Sequence, residues 1–476
     1  MITQEVSAKK TLLRTLMNCP HRKLEETKPT FSSAFQADPF FAGKVSYALT
    51  LDRYNKIRDL GEAGISFLLA SEFAEHREAG RICLQSLEPY RVARVGKFIR
   101  ENLKANRQVK GAVEDYLRYL EKNKARFDGA AKVAGKGLHR LYELYHISPS
   151  SRAQTILFEN KVPEGEENVI KLLMEASTPE DQAEIIIKYR IPYRQATSVL
   201  KAVTPAVWVA LIEVMSPAEA VNSRASIERS GILEDKDIRK LYEDKLKKAS
   251  TDKRVATSTL TERKSAKGKD TRLDEIISTT AQTKIDSGAR ISLDTIVAVD
   301  VSGSMHEAIE VAKAICPQIA ALCDGIFDVY CFNDTAWKLK YDGTSLKDFT
   351  EAFKMIRANG STSLGSALHL AVKSGFIPEQ VLFITDQGEN HPPKLLDVFK
   401  RETPDTRFVF INIGGIHELV RSLESAGAEV AEFDITTSVK SQGWYAVIDN
   451  FVPLLTKGGY LQLVEEIMTL DLPKRN

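Results

Sequence analysis

The chain is poor in cysteine and has no long apolar run. Its five cysteines, Cys19, Cys83, Cys316, Cys323 and Cys331, form no C-x-x-C pair. So sparse and odd a number builds no disulfide framework and suits buried thiols in a reducing cytoplasm. No Cys/His cluster has ligand spacing, which argues against a zinc site. No window approaches the ~20 apolar residues that a spanning helix needs. The first residues, Met1-Ile2-Thr3-Gln4-Glu5, lack the apolar core of a signal peptide, so no membrane partner is expected. Catalytic motifs are missing as well. There is no H-E-x-x-H. Gly129 to Gly137 mimics a phosphate loop, but it has one residue too many between its glycines, no Ser or Thr after Lys136 and no preceding strand. His306 stands near Ser302 and Ser304 without a nucleophile elbow or paired acid. The chain is therefore not expected to be an enzyme.

Charge of one sign is scarce only regionally. Residues 291–476 hold 16 Lys and Arg against 25 Asp and Glu, net −9; the other 50 and 39 give residues 1–290 a net +11. This partition suggests a polyanion partner for the N-terminal part and not for the C-terminal part. A length of 476 residues allows two to four domains.

The most informative stretch is Asp300-Val301-Ser302-Gly303-Ser304, which follows the apolar run Ile296–Val299. That run reads as a buried parallel strand. Alternate residues of an extended turn point the same way, so one carboxylate and two hydroxyls converge. Hard oxygens suit Mg²⁺, Mn²⁺ or Ca²⁺. Carboxyl ends of parallel strands are also where open α/β sheets bind ligands. Two later segments follow: the hydroxyl-rich loop Gly360-Ser361-Thr362-Ser363-Leu364-Gly365, and the apolar strand Val381–Thr385 ending in Asp386. In this order, D-x-S-x-S, G-S-T-x-x-G and T-D resemble the metal-ion-dependent adhesion site of von Willebrand factor A domains. The resemblance implies that Ser302, Ser304 and Thr362 ligate a divalent cation directly, with Asp300 and Asp386 acting directly or through water. Gln387 follows Asp386 where many such domains have Gly.

Elsewhere the periodicity changes. Residues 1–30 read as a polar, irregular arm that must dock elsewhere to be ordered. From about residue 31 to 244 the apolar spacing is helical, as in Val92, Val95, Phe98 and Ile99, or Leu138, Leu141, Tyr142 and Tyr145. Tyr142 and Tyr145 read as core, not as base-stacking platforms. Pro89, Pro179, Pro205 and Pro217 punctuate these segments, and several prolines open helices. Many short amphipathic helices in succession suggest an α-solenoid. Residues 245–290 form a basic connecting segment with Lys253, Arg254, Arg263, Lys264, Lys267 and Lys269, read as a solvated linker. From residue 291 to 476, strands and helices alternate, as in a doubly wound parallel sheet.

The helical half carries a second resemblance. Ile191-Pro192-Tyr193 opens a run containing V-W-V-A-L and M-S-P and ending at Gly231, and Leu138 to Pro149 reads L-H-R-L-Y-E-L-Y-H-I-S-P. These segments are similar to the TROVE module of the Ro ribonucleoprotein family, with Ser148 at a position where that family has Lys. The resemblance implies a HEAT-like helical ring followed by a von Willebrand factor A domain. It also implies binding of small structured noncoding RNA and of single-stranded ends of defective RNA. Independently, Lys122, Lys124, Arg126, Lys132, Lys136 and Arg140 occur with only Asp128 opposing them. Such a basic face supplies phosphate affinity, and His139 and His146 add donors or stacking groups. A solvated helix face is the plain alternative. The leading expectation is thus an RNA-binding scaffold with a metal-dependent interaction domain. The alternative is a protein-only adaptor whose metal site docks a partner's carboxylate, and a metal-dependent phosphohydrolase ranks third.

Overall fold

A computed structural model of the chain describes residues 4–19, 23–51, 57–165, 169–252, 255, 260, 270–286, 290–414, 418–435, 455 and 459–474. The chain divides into two compact units, 1–148 with 289–476, and 149–288. No helix among the described residues is long and apolar enough to cross a membrane.

In the first unit, residues 1–148 form α1 (Gln4–Met17), α2 (Lys28–Ala37), α3 (Pro39–Ala48), α4 (Arg58–Ala70), α5 (Ala74–Gln85), α6 (Pro89–Asn102), α7 (Arg107–Glu121) and α8 (Lys124–Tyr145). Local chemistry sets their starts. The Asp38, Asn106 and Asn123 side chains accept from Phe41, Val109 and Arg126 N–H, and Pro39 and Pro89 occupy first-turn positions. The apolar faces expected of α6 and α8 are buried, including Tyr142 and Tyr145, and so is that of α7. Two small residues let α6 and α8 approach closely. A Cβ on Gly96 would lie 2.4 Å from Leu141 Cδ2, and one on Gly137 would lie 2.7 Å from Ala93 Cβ. The Tyr145 hydroxyl donates to Gly96 O at 2.7 Å, fixing the same contact.

Two expectations are corrected here. Helix α1 occupies much of the stretch expected to be irregular. It buries Leu13 and Leu16 and ion-pairs Lys10 with Glu424 at 2.8 Å. Its amphipathic stripe is too short to stand out in sequence and is completed by the helix Gly459–Thr469, against which it packs. Helix α8 is also not one straight cylinder: Ala134 has φ −137° and ψ 22°, a kink between Lys132 and Lys136. The i, i+4 rule therefore does not place Lys132 on the Lys136 face.

The sheet of this unit comprises β1 (Thr295–Asp300), β2 (Phe327–Phe332), β3 (Ala336–Lys338), β4 (Gln380–Thr385), β5 (Arg407–Asn412) and β6 (Val430–Asp434), in the order β3-β2-β1-β4-β5-β6. All neighbours are parallel except β3, an antiparallel edge on β2. One face packs Ile296, Ala298, Phe332, Phe383 and Phe410 against the helices Leu364–Lys373 and Leu395–Glu402; the helix His306–Leu322 also contacts β1 and β4. The expected doubly wound sheet is borne out. The edge strand β3 has no signal in the sequence, because three residues are too few to show alternation. Cys316 is buried as expected, whereas Cys323 caps the helix end and is part-exposed.

The second unit is helical: Val169–Glu175, Pro179–Tyr189, Tyr193–Val199, Pro205–Val214, Pro217–Arg229, Lys236–Lys247 and Thr271–Asp286. Thr178 accepts from Asp181 N–H and Pro179 takes the first turn, so this proline opens a helix as expected. The last helix replaces part of the expected linker. Leu273, Ile277 and Ala281 join Tyr242 and Leu246 in one core, and buried Arg224 pairs with Asp274 at 2.7 Å and Glu228 at 2.9 Å. The two compact units divide after 148 and 288. Lys253, Arg254, Arg263, Lys264, Lys267 and Lys269 lie outside the described residues.

Candidate metal centre and basic groove

Parallel order places the ends of β1 and β4 side by side, Val299 opposite Ile384. Asp300 and Asp386 therefore leave adjacent strand ends, where the strand order reverses and open sheets bind ligands. Asp300 is fully buried. Its Oδ1 accepts from Ser302 N–H at 2.9 Å and its Oδ2 from the Thr385 hydroxyl at 2.7 Å. The first bond makes a side-chain turn, and Met305 N–H closes on Ser302 O at 2.9 Å. The D-x-S-x-S stretch is thus a tight turn, more closed than the extended turn expected. Burial pushes the Asp300 carboxyl up; hydrogen bonds from Thr385 and Ser302 oppose this, and Asp386 adds to it. The exposed Ser304 hydroxyl reaches Asp386 Oδ2 at 3.5 Å, joining the first and third motifs.

The second motif is tied in by backbone. Gly303 N–H donates to Gly360 O at 3.2 Å and Asn359 N–H to Val301 O at 2.8 Å. Gly360 has φ +79°, and a Cβ there would meet Asp334 Oδ1 at 3.0 Å, so glycine is required. Thr362 is buried beside this turn. Gln387 has φ +64°, the left-handed conformation that favours Gly at this position. Its side chain gives the departure a use: Nε2 donates to the buried Glu432 carboxylate at 2.7 Å, which also accepts from Asn412 at 3.0 Å.

No cluster of three His, Cys, Asp or Glu residues suited to a metal occurs among the described residues. A cation here would rest on two carboxylates and three hydroxyls. These are all hard oxygens, and the donor set fits Mg²⁺ or Mn²⁺ better than a softer metal.

The predicted RNA residues divide. Lys136, His139, Arg140 and His146 line one groove of about 500 Å³ with Arg100, Glu143 and Leu144. Lys122, Lys124, Arg126 and Lys132 do not line it. Arg126 folds back over the Tyr119 ring, 4.0 Å from its centroid, and the kink separates Lys132. Arg100 was missed because it comes from α6, brought alongside α8 by Gly96 and Gly137. The groove is also less purely basic than the sequence reading held. Glu101 pairs with Arg140 at 3.0 Å and Glu143 with His139 at 3.4 Å. His146 ends α8 in a left-handed conformation, φ 49°, with its carbonyl accepting from Lys110 at 3.0 Å.

Neither a protein-family model nor a curated protein sequence matches the chain. Among solved structures, the Ro (RSR) protein of Deinococcus radiodurans matches 88% of this chain and 93% of its own, with a TM-score of 0.62 and 12% identity. A von Willebrand factor type A protein from Catenulispora acidiphila aligns over 36% of this chain and 43% of its own, with a TM-score of 0.27 and 18% identity. The first of these shows that the chain has the fold of a Ro protein, a helical region and an α/β sheet carried on one polypeptide.

Proposed function

We propose that the protein is an RNA-binding scaffold of the Ro type with a metal-dependent interaction site. The observation that carries this reading is the groove between α6 and α8, where Arg100, Lys136, His139, Arg140 and His146 meet. Guanidinium, ammonium and imidazole donors at one place suit phosphate and base edges. The shared Ro fold supports the same reading. The RNA would be a small structured noncoding species or the single-stranded end of a defective one, in the cytoplasm. Ser302, Ser304 and Thr362 would hold Mg²⁺ or Mn²⁺ directly, with Asp300 and Asp386 direct or through water. The cation would supply an open coordination position to a carboxylate of a protein partner. Hydroxyl ligands and water-linked carboxylates suit that capture better than hydrolysis.

Purifying the protein from its host and sequencing bound RNA tests the proposal. RNA at stoichiometric yield is expected. An absorbance ratio typical of clean protein, with no RNA recovered, overturns it and points to the protein-only adaptor.

A further inference from the structure

Thr362 lies outside regular secondary structure, as do residues 357–359 and 361–363 around it. A ligand on such backbone must be held by its surroundings if the site is to keep its geometry. The segment following Asp386 does this. Thr362 N–H donates to Asn390 Oδ1 at 2.8 Å, and Thr362 O accepts from Asn390 N–H at 3.0 Å and His391 N–H at 2.9 Å. Both backbone groups of Thr362 are thus taken by one short segment.

Glu389 secures the next residues. Its Oε1 accepts from Leu364 N–H at 3.1 Å, Gly365 N–H at 3.4 Å and Leu395 N–H at 2.8 Å. One carboxylate therefore joins the starts of two helices, Leu364–Lys373 and Leu395–Glu402. Helix starts leave such N–H groups unpaired. The Ser363 hydroxyl adds a bond to Pro393 O at 3.0 Å. The approach is close enough that a Cβ on Gly365 would lie 2.5 Å from Pro393 O. This gives the last glycine of G-S-T-x-x-G its physical reason. The segment is anchored at its other end by Gly388 N–H on Asp386 Oδ1 at 2.9 Å.

We infer that Glu389 and Asn390 are positioning residues of the metal centre, acceptors that lock the Thr362 loop to the segment carrying Asp386. This rests on the metal-site reading above. Neither side chain is needed as a ligand; each acts by fixing the backbone that presents one.

The test uses the full chain and Mn²⁺ alone, with free ion measured by electron paramagnetic resonance and folding by near-ultraviolet circular dichroism. The variants are Asn390→Ala, Glu389→Ala, Glu389→Gln and Asp300→Ala. Asn390 is exposed, so its truncation is expected to leave the fold intact. Asn390→Ala and Glu389→Ala should each weaken Mn²⁺ about tenfold while remaining folded, the usual scale for groups that orient a ligand. Glu389→Gln keeps an oxygen acceptor at the same place and should stay close to the parent. A merely structural role would lower melting temperature without moving affinity in the folded protein. If the parent and both alanine variants bind alike while Asp300→Ala does not bind, the positioning role falls and the metal site stands. If Glu389→Gln is as weak as Glu389→Ala, charge and not the acceptor matters, and the inference is overturned. A parent that binds no Mn²⁺ removes the metal site and this inference with it.

Discussion

Removing two cations from the α6–α8 groove should change how RNA binding responds to salt. Lys136 and Arg140 are exposed, so replacing both by Ala should alter stability by less than about 1 kcal/mol. Arg140 is half exposed and held by Glu101 at 3.0 Å. An exposed pair of this kind is worth about 0–1 kcal/mol, so Arg140 can leave it for a phosphate at little cost. Each phosphate contact contributes about 0.7 to the salt slope on single strands and about 0.9 on a duplex. The double variant should therefore lower the slope of log affinity against log salt by roughly 1.4–1.8. Glu101→Gln frees Arg140 and should act in the opposite direction, strengthening binding at low salt. Lys132→Ala, beyond the kink and outside the groove, should change the slope less than Lys136→Ala. Fluorescence anisotropy with a labelled structured RNA over a salt series reads all of these. A double variant with the parent's affinity and slope refutes the assignment. So does a folded Asp300→Ala variant that loses RNA binding, because the metal centre would then be part of the RNA site.

Mg²⁺ or Mn²⁺ should bind weakly, since three of the five donors are neutral hydroxyls; calorimetry on the Asp300→Ala, Ser302→Ala double variant should show no binding, and heats equal to the parent's would disprove the ligand set. Gln387→Gly relieves a left-handed conformation worth about 1–2 kcal/mol but removes a bond to the buried Glu432 carboxylate worth about 1.5–3 kcal/mol. Urea denaturation should show a net loss of about 1 kcal/mol, and a gain in stability would mean that strain dominates. Deleting residues 1–19 uncovers the surface on which Leu13, Leu16 and Asn18 dock, the last donating to the Tyr460 hydroxyl at 2.9 Å. At about 1.5–3 kcal/mol for each buried leucine, a drop of several kcal/mol is expected; unchanged stability would argue against the docking of α1.

Much of the centre was legible in the sequence because its signals are local. Ile296–Val299 and Val381–Ile384 are unbroken apolar runs, and such runs become buried parallel strands whose carboxyl ends carry Asp300 and Asp386. The buried faces of α6 and α8 follow from spacing alone. What the sequence could not show depends on residues distant along the chain. Glu389 and Asn390 are ordinary polar residues of a loop until the fold lays them against Thr362. Gln387 looks like a loss of glycine until Glu432 and Asn412 are placed beside it. The basic run of α8 reads as one face until Ala134 kinks it, and Arg100, Glu101 and Glu143 then reset the balance of charge in the groove. The α1 stripe gains much of its meaning from the helix Gly459–Thr469, more than four hundred residues away in sequence. Periodicity and strand-end motifs are set by interactions within a few residues and so are written in sequence. Caps across loops, charge pairing between helices and the completion of a half-built core are set by proximity in space, which only the tertiary structure supplies.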